Sequence, residues 1–122
     1  MPTEWSEGIF LCDLADEPEL SEELSAVFGQ LKKTPPDKLP HVVLNFGGVS
    51  YMNSSQIAAL LRLRKLLAEA APPKQLVLAA LQDEVWSVLL LTGLDKVFQV
   101  SPDTMTALAR VQLDGADGTG SA

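Results

Sequence analysis

Cysteine is nearly absent. Cys12 stands alone among 122 residues, so no intrachain disulfide can form and a thiolate metal cluster is excluded. His41 is the only histidine and has no matched partner for a Ser-His-Asp arrangement. Basic residues are also scarce: nine Lys and Arg against sixteen Asp and Glu leave a net charge of −7. Such a balance argues against nucleic-acid binding, which needs cations to neutralise phosphates, and against docking on an anionic membrane. No apolar stretch reaches the ~18 residues that span a bilayer. The longest helical one, from Ile57 to Ala68, is broken by Arg62, Arg64 and Lys65. No apolar leader follows the acidic start, so a cytoplasmic location is expected. Neither a Gly-x-Gly-x-x-Gly after the first expected strand nor a Walker lysine is present. No cofactor, metal or catalytic residue is therefore expected.

What remains is a globular mixture, 47% hydrophobic and 20% charged, which is not the composition of a disordered chain. The length suits one domain, read as residues 1–113, with a small polar flexible tail at 114–122. Residues 8–14 read as a first strand, and the pattern leaves open whether it is an antiparallel edge. A helix follows, with Asp16 as cap, Glu19 three residues on, and Leu20, Leu24, Val27 and Leu31 as its buried stripe. Residues 41–46 form a short apolar run closed by Gly47 and Gly48, the pattern of a central strand covered on both faces. A long helix spans about 54–70, a strand 75–80, a helix from Asp83 to Thr92 and an edge strand 98–100. Gly93 suits the left-handed position after a helix. Ser101-Pro102-Asp103 opens a last helix ending near Leu113. The alternation predicts an α/β fold, a four- or five-stranded mainly parallel sheet flanked by four helices. Its core would include Val43, Leu44, Leu60, Leu63, Leu76, Leu78, Val88 and Leu89.

Glu17, Glu19, Glu22 and Glu23 read as a solvated acidic face, and Trp5 and Trp86 as packing residues. The informative segment is Val49-Ser-Tyr-Met-Asn-Ser-Ser-Gln-Ile57. Asn53 suits a helix cap, its oxygen on the amide of Ser55 or Gln56, and Gln56 can return a bond. Ser54 and Ser55 then open the helix. At ~100° per residue, Leu60, Leu63 and Leu67 face the sheet, and Ser55 lies on the face of Arg62, Lys65 and Glu69. Ser54 lies nearer its edge. Leu66 falls on the outer side, and Arg64 falls inside the apolar arc with its head snorkelling to water. A phosphate on Ser55 would meet the positive end of a helix dipole and add about −1.5 to −2 charge, enough to switch an interface. Without a phosphate, Asn-Ser-Ser is simply a good helix start.

These residues resemble a STAS domain, the fold of bacterial anti-sigma factor antagonists, from about Gly8 to Val111. The resemblance rests on the strand at 41–46, the segment 49–56, the leucine-rich helix 57–67, and Val88-Leu-Leu-Leu-Thr-Gly-Leu-Asp-Lys-Val-Phe98. It implies a regulatory protein-binding module that binds a kinase-type anti-sigma factor and is switched by serine phosphorylation, with a phosphatase reversing it. The second serine of the family's Asp-Ser-Ser-Gly motif corresponds to Ser55, with Ser54 second choice. The implied contact surface is Tyr51, Met52, Asn53, Ser54, Ser55, Gln56, Ala59, Arg62 and Leu66. Three positions depart from the family: Asn53 replaces Asp, Gln56 replaces Gly, and Asn45 replaces the Asp that ends the preceding strand. Asn53 keeps the cap without its charge, and Gln56 puts bulk where Gly lets a partner approach. The alternative is a STAS subunit docking on a related ATPase, that of an ABC-type lipid or solute transport system. A third reading, a small serine hydrolase, needs His41 to meet Ser55.

Overall fold

The structure is a computed structural model that describes residues 3–6, 8–70 and 73–117. The described residues form five strands and four α-helices: β1 (Thr3–Ser6), β2 (Ile9–Ala15), α1 (Glu19–Lys33), β3 (His41–Gly48), α2 (Ser54–Ala68), β4 (Leu76–Ala79), α3 (Asp83–Thr92), β5 (Gln99–Ser101) and α4 (Thr104–Asp117). Strand order in the sheet follows chain order. β2 to β5 are parallel, and β1 lies antiparallel on β2. The expected α/β architecture is therefore present. The strand read from residue 8 is a parallel member, and the antiparallel edge is a separate strand folded back across Gly8, whose φ is 77°. Only glycine takes that backbone turn without strain.

Sequential strand order has a consequence for the layers. Each parallel connection crosses right-handed and steps the same way, so the connecting helices fall on one face. Leu20, Leu24, Val27 and Leu31 of α1, Leu60, Leu63 and Leu67 of α2, and Val85 and Leu89 of α3 share one core with Phe10, Val42, Leu44, Phe46 and Leu78. α4 covers the opposite face, packing Ala107 and Val111 on Ile9, Val43 and Val77. Alternate residues of β3 enter the two cores, as the period of a strand requires, and Val42, Val43 and Leu44 are wholly buried. β3 is thus the central strand read from its apolar run.

Several local expectations are corrected. Asp16 does not cap α1: Pro18 holds that position with no side-chain cap bond. Ser101 ends β5, and Asp103 caps α4, its Oδ1 accepting from the Thr106 amide at 2.7 Å. α4 continues to Asp117, past the expected end near Leu113, and residues 118–122 of the expected tail lie outside the described residues. Val88 is half-buried, because the inward face of α3 is set by Val85 and Leu89, four residues apart. The helical wheel of α2 is right about Leu60, Leu63 and Leu67 but rotated on its flank. α1 packs beside α2, so Leu66 and Ala59 are half-buried against the core. The outward stripe is Ser54, Ala58, Leu61, Arg62 and Lys65. Arg64 is exposed, and its Nε donates to the carbonyl of Val97 at 3.1 Å.

Leu63→Ala should therefore destabilise the fold by about 2–5 kcal/mol, since it removes buried methyl groups and leaves a cavity. Leu61→Ala, on the outward stripe, should change stability by less than about 0.5 kcal/mol. Urea denaturation midpoints of the two variants check the orientation of α2.

Candidate functional site

All four parallel strands end at the same edge of the sheet, which sets the β2–α1 and β3–α2 loops side by side. The two chains come very close there. A Cβ built on Gly48 would lie 2.9 Å from the backbone oxygen of Leu14, closer than real Cβ atoms come. Gly48 is thus needed for the approach of two backbones. Beyond it, Val49 and Met52 are buried and pin the two ends of a short turn, while Ser50 and Tyr51 between them face solvent.

Two acids from the β2–α1 loop brace that turn. Asp16 accepts from the Ser50 amide at 2.8 Å and from the Ser50 hydroxyl at 2.7 Å. The hydroxyl bond first, then the amide bond, holds its carboxyl below the ordinary carboxylate range. Glu17 accepts from the hydroxyl and the amide of Ser21, and these bonds lower its titration likewise. Its second oxygen also accepts from the side-chain amide of Gln56, which ties the start of α1 to the start of α2. The acidic face expected from Glu17, Glu19, Glu22 and Glu23 is solvated only in part, since Glu23 is half-buried beside the thiol of Cys12.

Asn53 caps α2 as its residue type predicts. Its Oδ1 accepts from the Gln56 amide at 3.1 Å, and the Asn53 amide donates to Gln56 Oε1 at 2.8 Å. The side chain of Gln56 is spent on this reciprocal cap and on Glu17, and the residue is 1% exposed. Met52 and Gln56, both expected on the contact surface, are therefore supports beneath it. Gln56 adds no bulk where a partner would approach. Ser54 and Ser55 are both exposed, so the expected difference between them in placement is absent. Their amides precede the first intrahelical bond, which Ile57 donates to the Asn53 carbonyl at 3.0 Å. Two outward hydroxyls thus sit at the positive end of a helix dipole.

Asn45 has a role the sequence did not disclose. Its Nδ2 donates to Asp13 Oδ1 at 2.8 Å, and its Oδ1 accepts from the Gly47 amide at 2.9 Å. An Asp here would lose the donor and oppose a second carboxylate. Asp16 and Glu17 were also missed as site residues. The available signal was topological: adjacent parallel strands bring their following loops together, and acids in one loop can meet amides in the other.

The hydrolase reading fails on geometry. His41 opens β3, Ser55 lies beyond its far end, and eight strand residues separate the ends by roughly 23 Å. His41 Nδ1 instead accepts from the Gln75 amide at 3.0 Å. Among the described residues no group of His, Cys, Asp or Glu could hold a metal ion, and no helix is long and apolar enough to cross a membrane.

A family model described as STAS domain matches residues 12–107. Comparison with curated proteins gives no significant match. Among solved structures, the crystal structure of a proposed anti-sigma factor antagonist from Thermotoga maritima is similar, with a TM-score of 0.74 at 16% identity. The match covers 91% of this chain and 93% of that one. An anti-sigma-factor antagonist (STAS) domain protein from Planctomyces limnophilus gives a TM-score of 0.75 at 19% identity, over 90% of this chain and 96% of that one. Likeness at such identity carries the fold.

The brace makes stability pH-dependent with a definite sign. Asp16 and Glu17 titrate lower folded than unfolded, so their contribution is present above the ordinary carboxylate range and is lost as pH falls through the depressed values. The denaturation midpoint should fall on acidification below about pH 4. The double variant Asp16→Asn, Glu17→Gln should be less stable at neutral pH and show a flatter acid limb, read by denaturation at a series of pH values.

Proposed function

The chain belongs to the STAS domain family, and from that premise we propose that it is a regulatory protein-binding module, an anti-sigma factor antagonist acting in the cytoplasm. Its partner is a kinase-type anti-sigma factor. The docking surface is the exposed turn Ser50–Tyr51, the cap Asn53, the hydroxyls of Ser54 and Ser55, and the outward stripe Ala58, Leu61, Arg62 and Lys65 of α2. The observation that carries this reading is the combination of exposure with support. Tyr51 is 63% exposed, yet the turn that presents it is anchored by buried Val49 and Met52 and by the Asp16 bonds. A partner meeting a pre-formed surface loses less ordering entropy on binding.

The switch is phosphorylation of Ser55, with Ser54 the second choice, and a phosphatase reverses it. The helix dipole tolerates a phosphate at this place, so the fold would persist. A dianion in the middle of the contact surface would oppose a complex formed with a neutral hydroxyl, because an unpaired buried charge is costly. Asn53 lacks the charge of the family's Asp, but Asp16 and Glu17 in the adjacent loop bond to Ser50 and Gln56, which flank the serines in the chain. The binding domain runs through the whole of α4.

Ser55→Asp should leave the thermal midpoint near that of the wild type and weaken the complex with the anti-sigma factor by roughly 2–5 kcal/mol at matched salt. Ser54→Asp, equally exposed on the same surface, should weaken it to a similar degree. Calorimetry with the purified kinase-type partner reads both. Equal affinity of wild type and Ser55→Asp would remove Ser55 from the interface. Capture of the ATPase of an ABC-type transporter instead of a kinase-type protein would replace this reading by the transport one.

A further inference from the structure

At the opposite end of the sheet from the serines, a cleft of about 190 Å³ opens between the end of α2 and the starts of β4 and β5. Its polar lining is Arg64, Lys74, Gln75 and Gln99, and Ala68 and Val97 form part of its walls. No acid lines it, although acids outnumber bases in the chain by sixteen to nine. Among the described residues neither Arg64 nor Lys74 has a carboxylate partner. The guanidinium is oriented all the same: Arg64 Nε donates to the Val97 carbonyl at 3.1 Å, which leaves its two Nη groups for another acceptor. The backbone carrying the other two groups is tied on both sides of the cleft. The Lys74 amide donates to the Leu67 carbonyl at 2.9 Å and the Gln75 amide to His41 Nδ1 at 3.0 Å.

Two cations at the end of a helix can serve only to offset its negative dipole end. Here two of the last four carbonyls of α2 already have backbone donors: Leu67 accepts from Ala70 and Lys74, and Lys65 accepts from Glu69. A dipole role also leaves unexplained why Arg64 is held on the Val97 carbonyl across the cleft. We propose that this cleft is a binding site for a small oxyanion such as phosphate or a carboxylate. The Arg64 fork and the Lys74 ammonium hold the charged oxygens, and the Gln99 amide adds a donor. At about 30 Å³ per water molecule the volume corresponds to roughly six waters, room for an ion of this size. The site lies apart from the proposed docking surface and does not depend on that reading.

The test is a nitrogen-15 NMR titration of the whole chain at about pH 7 and constant ionic strength, with phosphate, acetate and chloride compared. Phosphate or acetate should shift the amides of Lys74, Gln75, Val97 and Gln99 saturably, and chloride should not. Which of the two saturates identifies the oxyanion. Arg64→Gln and Lys74→Gln should each weaken binding roughly tenfold, and Lys33→Gln, at the end of α1, should not. Both cleft side chains reach solvent, so either variant tests the site if the other is poorly folded. Shifts equal to those of chloride, or undiminished affinity in both variants, would overturn the proposal and leave the two cations as partners of the dipole.

Discussion

Burial of β3 on both faces is the constraint from which the rest of the structure follows. Val42, Leu44 and Phe46 face three helices, and Val43 faces the fourth. A strand covered in this way must pair on both edges, and it does so in parallel with β2 and β4. Parallel pairing then brings every strand-to-helix loop to one edge of the sheet, and right-handed crossovers that step in one direction put the connecting helices on one face. The β2–α1 and β3–α2 loops become neighbours for that reason alone, and Gly48 lets their backbones touch.

The neighbouring loops convert a fold into a surface. Asp16 holds Ser50, Glu17 holds Gln56, and Gln56 and Asn53 cap each other. These bonds join side chains to backbone amides or to side chains of the neighbouring loop, so they fix the turn more than they add to global stability. The three departures from the family pattern form one consistent set. Asn45 supplies the donor that Asp13 needs, Asn53 keeps the cap, and Gln56 turns inward to join the cap to Glu17. Negative charge missing at Asn53 is present across the gap at Asp16 and Glu17.

Much of this was legible in the sequence, and the failures have physical causes. The β3 run, the Asn53–Gln56 cap and the left-handed Gly93, whose φ is 76°, are local patterns with local causes. β1 escaped notice because Thr-Glu-Trp-Ser has no strong pattern of its own and becomes a strand by pairing with β2. Asp16 resembled a helix cap because a short acid before a helix commonly caps it, but a better pair of donors lay across the loop at Ser50. Leu66 was misplaced because a helical wheel knows the sheet but not α1, which covers that flank. Met52 and Gln56 were assigned to the surface because sequence proximity to the serines does not separate a side chain that presents the turn from one that supports it. The fold needed only periodicity and punctuation. The site needed contacts between residues more than thirty positions apart, such as Asp16 with Ser50 and Glu17 with Gln56.

The central claim is that the braced turn and the outward stripe of α2 form the docking surface. The most direct test is to map a bound kinase-type anti-sigma factor onto the nitrogen-15-labelled chain by amide shift perturbation and cross-saturation. The account predicts perturbed amides over Ser50–Tyr51, Asn53–Ser55 and the Ala58–Lys65 face of α2, with α4 and the starts of β4 and β5 unchanged. Perturbation centred on α4, with the turn silent, would contradict it.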